Sequence, residues 1–138
     1  MLFSSLSKYS DWGLLGLRFV FGSMFVYYGF PKLFAGAQGW GQLGAAMGSI
    51  GISFAPVFWG FMAAFSMFFG GICLAFGLFF RPACMLLAFT MFVASAMHLK
   101  NGEGFLGAGH AIEDGAVFFG LIFIGPGRFS LDVILWGR

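Results

Sequence analysis

His110, Glu113 and Asp114 stand at i, i+3 and i+4, so on a helix they share one face. A carboxylate beside a histidine can pass a proton, because an imidazole changes charge near neutral pH. His98 and Lys32 each close another apolar stretch, with Lys100 and Glu103 just beyond His98. If these stretches end at one depth, the residues form a polar pocket able to move a proton beside a quinone or another redox partner. His98, His110, Glu113 and Asp114 are then the catalytic candidates. The plainer alternative is structural: Lys32 pairs with Glu113 or Asp114 and pins two helices together. A metal site from His98, His110 and a carboxylate would need a loop to converge on ligands without fixed spacing, so no metal is expected.

Arg18 lies inside an apolar run. Helical side chains lean toward the helix N-terminus, so Arg18 can snorkel about two turns to the interface and meet Asp11 or Asp132. The alternative is an anion or quinone-carbonyl contact inside the bundle, since an ionisable residue within a span is a functional candidate. Arg18 and Lys32 are the candidate cofactor contacts. Cys73 and Cys84 form no C-x-x-C and stand at different depths if their helices fold back on each other, which favours buried, inert thiols.

The elements that must position these residues are membrane spans. Of the 138 residues 60% are hydrophobic and 9% charged, against about a quarter charged in a soluble domain. The small net charge of +2 and the absence of a basic patch argue against a nucleic-acid partner. The first span is Leu14–Phe34, long enough to cross a bilayer, which takes roughly 20 apolar residues. On it Arg18, Gly22, Phe25, Gly29 and Lys32 fall on one stripe, which should face protein, because lipid tolerates charge badly and glycines admit another backbone. Cleavage after Ala35-Gly36-Ala37 is rejected, since the apolar run is too long for a signal peptide and holds two cations. Ser10 or Asp11 is a candidate cap for this helix.

Ala35–Ser53, rich in glycine, is expected as an irregular or half-helical segment on the membrane surface, with Trp40, Leu43, Met47 and Ile50 at helical spacing. Pro56 opens a second span, Val57–Phe80, which Arg81-Pro82 should end. A third runs Ala83–Leu99. Asn101–Gly109 reads as a loop. The fourth span begins near His110 and ends at Gly125-Pro126-Gly127, so Glu113 and Asp114 should lie near a membrane face or be shielded by protein. Ser130 should cap a short interfacial turn, with Asp132 at its N-terminal dipole. The fold expected is an all-α, four-transmembrane-helix bundle in a single domain. Four spans put both termini on one side, with Lys8, Arg81, Arg128 and Arg138, against Lys32 and Lys100 opposite. That asymmetry favours N-in and C-in. Phe19, Phe21, Phe25 and Phe30 of the first span, with Phe65, Phe68, Phe69 and Phe76 of the second, could wall an apolar cleft open to lipid.

Together these residues resemble the DoxX family of small bacterial inner-membrane proteins. The likeness rests on LRFVFGSMFVYYGFPKLFAG in the first span, FFGGICLAFGLFFRP in the second and GPGRFSLD at Gly125–Asp132. It implies a four-helix transmembrane bundle linked to quinone-dependent oxidoreduction, or to membrane complexes that handle sulfur or oxidative stress. Where the family often has a glutamate before Phe-x-Gly-Gly, this chain has Met67, which removes one mid-membrane partner for Arg18. The alternative is a non-catalytic scaffold or anchor subunit of a larger membrane complex. A transporter is a weaker third reading, because no internal repeat is recognisable.

Overall fold

The computed structural model describes residues 4–136; Arg138 of the positive-side argument lies outside them. A 3-10 turn (Ser4–Tyr9) leads into α1 (Ser10–Leu33). Then come α2 (Gly36–Gly44), a second 3-10 turn (Ala45–Ile50), α3 (Pro56–Phe76), α4 (Phe80–Lys100), α5 (Gly104–Ile124) and α6 (Leu131–Trp136). The long helices α1, α3, α4 and α5 are each long and apolar enough to cross a membrane, and no strand occurs among the described residues. In lipid every backbone N–H must bond within its own segment, which makes helix the default for such runs.

The buried residues of α1 are Arg18, Gly22, Phe25 and Gly29, the predicted stripe without Lys32, which is half-buried. The two glycines let α3 approach: a Cβ at Gly22 would stand 2.5 Å from the Gly71 carbonyl oxygen, and one at Gly29 2.7 Å from the Phe68 nitrogen. Such small-residue contacts replace hydrophobic burial as the glue between helices in a bilayer.

Several boundaries differ from the sequence reading, each for a local reason. The segment after α1 takes the half-helical of its two expected forms, as α2 and a 3-10 turn, and it packs on α3. A Cβ at Gly44 would overlap the Pro56 carbonyl, and one at Gly60 the Trp40 carbonyl, so backbones meet directly there. The Trp40 indole N–H donates to the Lys32 carbonyl at 3.0 Å, which also accepts from Ala35 N–H at 3.3 Å, so α2 is tied to the end of α1. The second span stops at Phe76 rather than Phe80. Gly77 takes a left-handed conformation (φ 69°), and Leu78 N–H donates back to the Cys73 carbonyl at 2.9 Å, the usual glycine-closed helix end. Arg81 and Pro82 then fall in the first turn of α4, where a proline is tolerated. Finally, α5 begins at Gly104, six residues before His110, because within a membrane the helix is kept despite glycines at 104, 107 and 109.

At the end of the bundle that holds the termini, the chain after α5 ties the helices together. Arg18 is 1% exposed. It donates from Nη1 to the Pro126 carbonyl at 2.6 Å and from Nη2 to the Ala75 carbonyl at 3.3 Å. The Asp132 carboxylate accepts from Phe79 N–H at 2.8 Å and Phe80 N–H at 2.9 Å, capping α4 rather than its own helix. The Ser130 hydroxyl does cap α6, accepting from Val133 N–H at 3.3 Å. Asp11 does not cap α1; its carboxylate accepts from the Arg128 backbone N–H at 3.1 Å and lies 3.7 Å from the Arg128 Nε.

Candidate binding cleft

The first half of α3 and the second half of α4 enclose a cleft of about 570 Å³, at the end of the bundle away from the termini. Its floor is made by Phe25 and Tyr28 of α1 and Ala111 of α5, and Leu43 and Met47 of the α2 segment cover one side. Leu86 and Phe89 line it too and are exposed on the outer surface of α4, so the cleft opens sideways between α3 and α4, toward lipid. Its volume falls within the roughly 300–1,000 Å³ common for small-molecule pockets.

Five of the chain's eight methionines line this space: Met47, Met62, Met67, Met91 and Met97. The walls are therefore thioether more than phenyl. Of the phenylalanines expected as walls only Phe25 takes part, joined by Phe89. Unbranched, polarisable methionine side chains adapt to the shape of what they contact. Met67, at the place of the expected family glutamate, makes that part of the wall apolar.

Lys32, His98 and His110 supply the ionisable side chains at the polar end of the cleft, with Tyr28, Ser66, Thr90 and Trp59 as its other polar residues. The Lys32 ammonium sits 6.0 Å from the centre of the Tyr28 ring and 3.5 Å from the Tyr28 carbonyl, and forms no ion pair among the described residues. The expected pairing with Glu113 or Asp114 is thus absent. Asp114 lies beside His110 instead, and Glu103 beside His98. His98 Nδ1 lies 2.8 Å from Glu103 Oε2, in hydrogen-bonding geometry. His110 Nδ1 lies 3.3 Å from Asp114 Oδ2, too poorly aligned for a hydrogen bond. Asp114 is buried at 8% exposure, while the His110 side chain is 71% exposed. Protein shields Asp114 inside the span, one of the two outcomes its position allowed. Glu113 is on the exposed side of α5 and takes no part in the cleft.

Trp59 is among the cleft residues that the sequence did not point to. The Trp59 indole N–H is buried and has no hydrogen-bond partner. Trp59 lines the cleft, and a buried donor without a partner is rare enough in a protein to single the residue out. From sequence Trp59 reads as an interface marker, because nothing there shows that α3 turns this edge inward. Arg18, the other candidate cofactor contact, is at the opposite end of the bundle, bonded to backbone carbonyls of its own chain. Cys73 and Cys84 are free thiols and neither lines the cleft.

The fold and this lateral pocket define a polytopic α-helical membrane protein of four spans. The DoxX family model matches residues 13–99, which takes in α1 to α4 apart from their outermost residues, and the chain belongs to the DoxX family. His110, Asp114 and the GPGRFSLD tail lie beyond the matched residues. No curated protein and no solved structure matches the chain.

Proposed function

We propose that the protein is an integral subunit of a quinone-linked oxidoreductase system in a bacterial inner membrane, with both termini cytoplasmic, and that the α3–α4 cleft receives the quinone ring. The observation that carries this reading is the methionine-walled cleft open to lipid, one of whose lining residues, Trp59, has an unpaired indole N–H. A quinone needs apolar walls for its ring and tail and donors for its carbonyl oxygens, and this residue set fits both. Trp59 would donate to one oxygen. His98, oriented by Glu103, can hold a proton at its remaining ring nitrogen, and His110 can do the same at the exposed edge. A bound quinone would supply two-electron, two-proton redox chemistry; the protein's part is to bind it, orient it and exchange its protons on the side opposite the termini. The resemblance to proteins that handle sulfur or oxidative stress supports this class of role.

The test is binding. Protein extracted without delipidation should retain quinone, and a soluble quinone analogue should compete for the same site. Loss of one hydrogen bond, worth about 1 kcal/mol, predicts about fivefold weaker analogue binding for Trp59→Phe. If no quinone is retained and no analogue binds, a non-catalytic scaffold or anchor subunit becomes the better reading.

A further inference from the structure

The outward face of α5 carries a feature the cleft does not use. Gly109, Glu113, Ala116 and Gly120 follow one another at steps of four, three and four, which returns them to a single narrow stripe of the helix. The opposite face, Ala108, Ala111, Asp114, Phe118 and Leu121, is the buried one. Glu113 is therefore exposed near the middle of a 21-residue span, about 13 Å from its first residue. Added Cβ atoms at Gly109 and Gly120 would meet nothing within 4 Å, so the stripe is open space, edged by the exposed side chains of Phe105, Phe119 and Phe123.

A carboxylate on the lipid side at this depth is costly, and ionisable residues in spans almost always face protein or water. Asp114, its neighbour, follows that rule, and Glu113 breaks it within this chain. The small residues on either side are what a second helix needs to approach closely. We propose that this stripe of α5 docks a transmembrane helix of another membrane protein, one that carries a lysine or arginine to pair with Glu113. Charge selects that occupant over a second copy of this chain. Two α5 stripes facing each other would set carboxylate against carboxylate, and α5 carries no lysine or arginine to offset them. Gly109 and Gly120 would admit the partner backbone one turn above and about two turns below the ion pair. This docking is independent of what the cleft binds.

The experiment uses the purified full chain in lipid vesicles with a labelled poly-leucine transmembrane peptide. The peptide carries one central lysine flanked by glycines, and energy transfer to the labelled protein reports association. An interhelical polar contact in a membrane is worth roughly 1–2 kcal/mol, so the lysine peptide should associate about tenfold more tightly than its leucine counterpart. Glu113→Gln should bring the two peptides to equal affinity. Gly120→Leu fills the groove but leaves Glu113, and should weaken the lysine peptide while the protein stays folded, since nothing packs on that glycine. The proposal is overturned if the lysine peptide shows no advantage, or if Glu113→Gln leaves that advantage intact. It is also overturned if the protein self-associates through this face and Glu113→Gln abolishes the self-association, which would make a second copy the occupant.

Discussion

Replacing Arg18 by methionine should destabilise the bundle without touching the cleft. The substitution keeps most of the side-chain volume and removes the charge, so its effect reports the two carbonyl contacts. Hydrogen bonds from a charged donor contribute about 1.5–3 kcal/mol each. The 2.6 Å bond to Pro126 belongs at the upper end and the 3.3 Å bond to Ala75 at the lower. Against that sum stands the cost of burying a guanidinium whose Nε has no partner, which the substitution removes. The balance is a loss of about 2–3 kcal/mol, which for a chain of this size lowers the unfolding midpoint by on the order of 10 °C. Thermal unfolding in mild detergent measures it. Quinone-analogue affinity should stay within about twofold of wild type at temperatures where the variant is folded, since Arg18 is remote from the cleft. An Arg18→Met protein as stable as wild type would show that the clamp contributes no net stability. Loss of analogue binding from a folded variant would return Arg18 to the ligand site.

Other substitutions test the remaining joints. Gly60→Leu should separate α2 from α3, because its Cβ would overlap the Trp40 carbonyl; overpacking of this kind costs about 3 kcal/mol, and Trp40 fluorescence should shift red as its bond to Lys32 breaks. Asp132→Ala uncaps α4 at Phe79 and Phe80 and should cost about 1–2 kcal/mol in thermal unfolding, with Asp132→Asn losing less. Reporter fusions after Trp136 and within the 3-10 turn Ala45–Ile50 should report opposite sides of the membrane, the former cytoplasmic; the same side for both would contradict four spans.

The spans and the inward stripe of α1 were legible in the sequence because lipid simplifies the rules: apolar length gives the helices, and charges with glycines give the protein-facing side. The helix ends were less legible. Glycine and proline are read as breakers by soluble-protein habit, yet Gly104, Gly107 and Gly109 sit inside α5, where the backbone has no water to bond instead. That misplaced start is why Asp114 looked closer to the end of its helix than it is. Pairing was the least legible part. Lys32, Glu113 and Asp114 have suitable charges and approximate depth, but helix rotation decides contact, and α5 turns Asp114 inward and Glu113 outward. His98 found Glu103 across a short turn, a local contact easily overlooked beside the longer-range possibilities. Arg18 meets neither Asp11 nor Asp132, because backbone carbonyls freed by the α3 end and by the Gly-Pro-Gly break reach it first. Such carbonyls carry no mark in the sequence.

A photoreactive quinone analogue, activated in native membranes and mapped by peptide mass spectrometry, locates the binding site without assuming a partner or an activity. Labels should fall on Trp59, Met62, Phe89 and Met97, and an excess of unreactive quinone should suppress them. Labels confined to the lipid-facing surface and insensitive to competition, or gathered around Phe79, Arg81 and Trp136 at the opposite end, would contradict the assignment of the cleft.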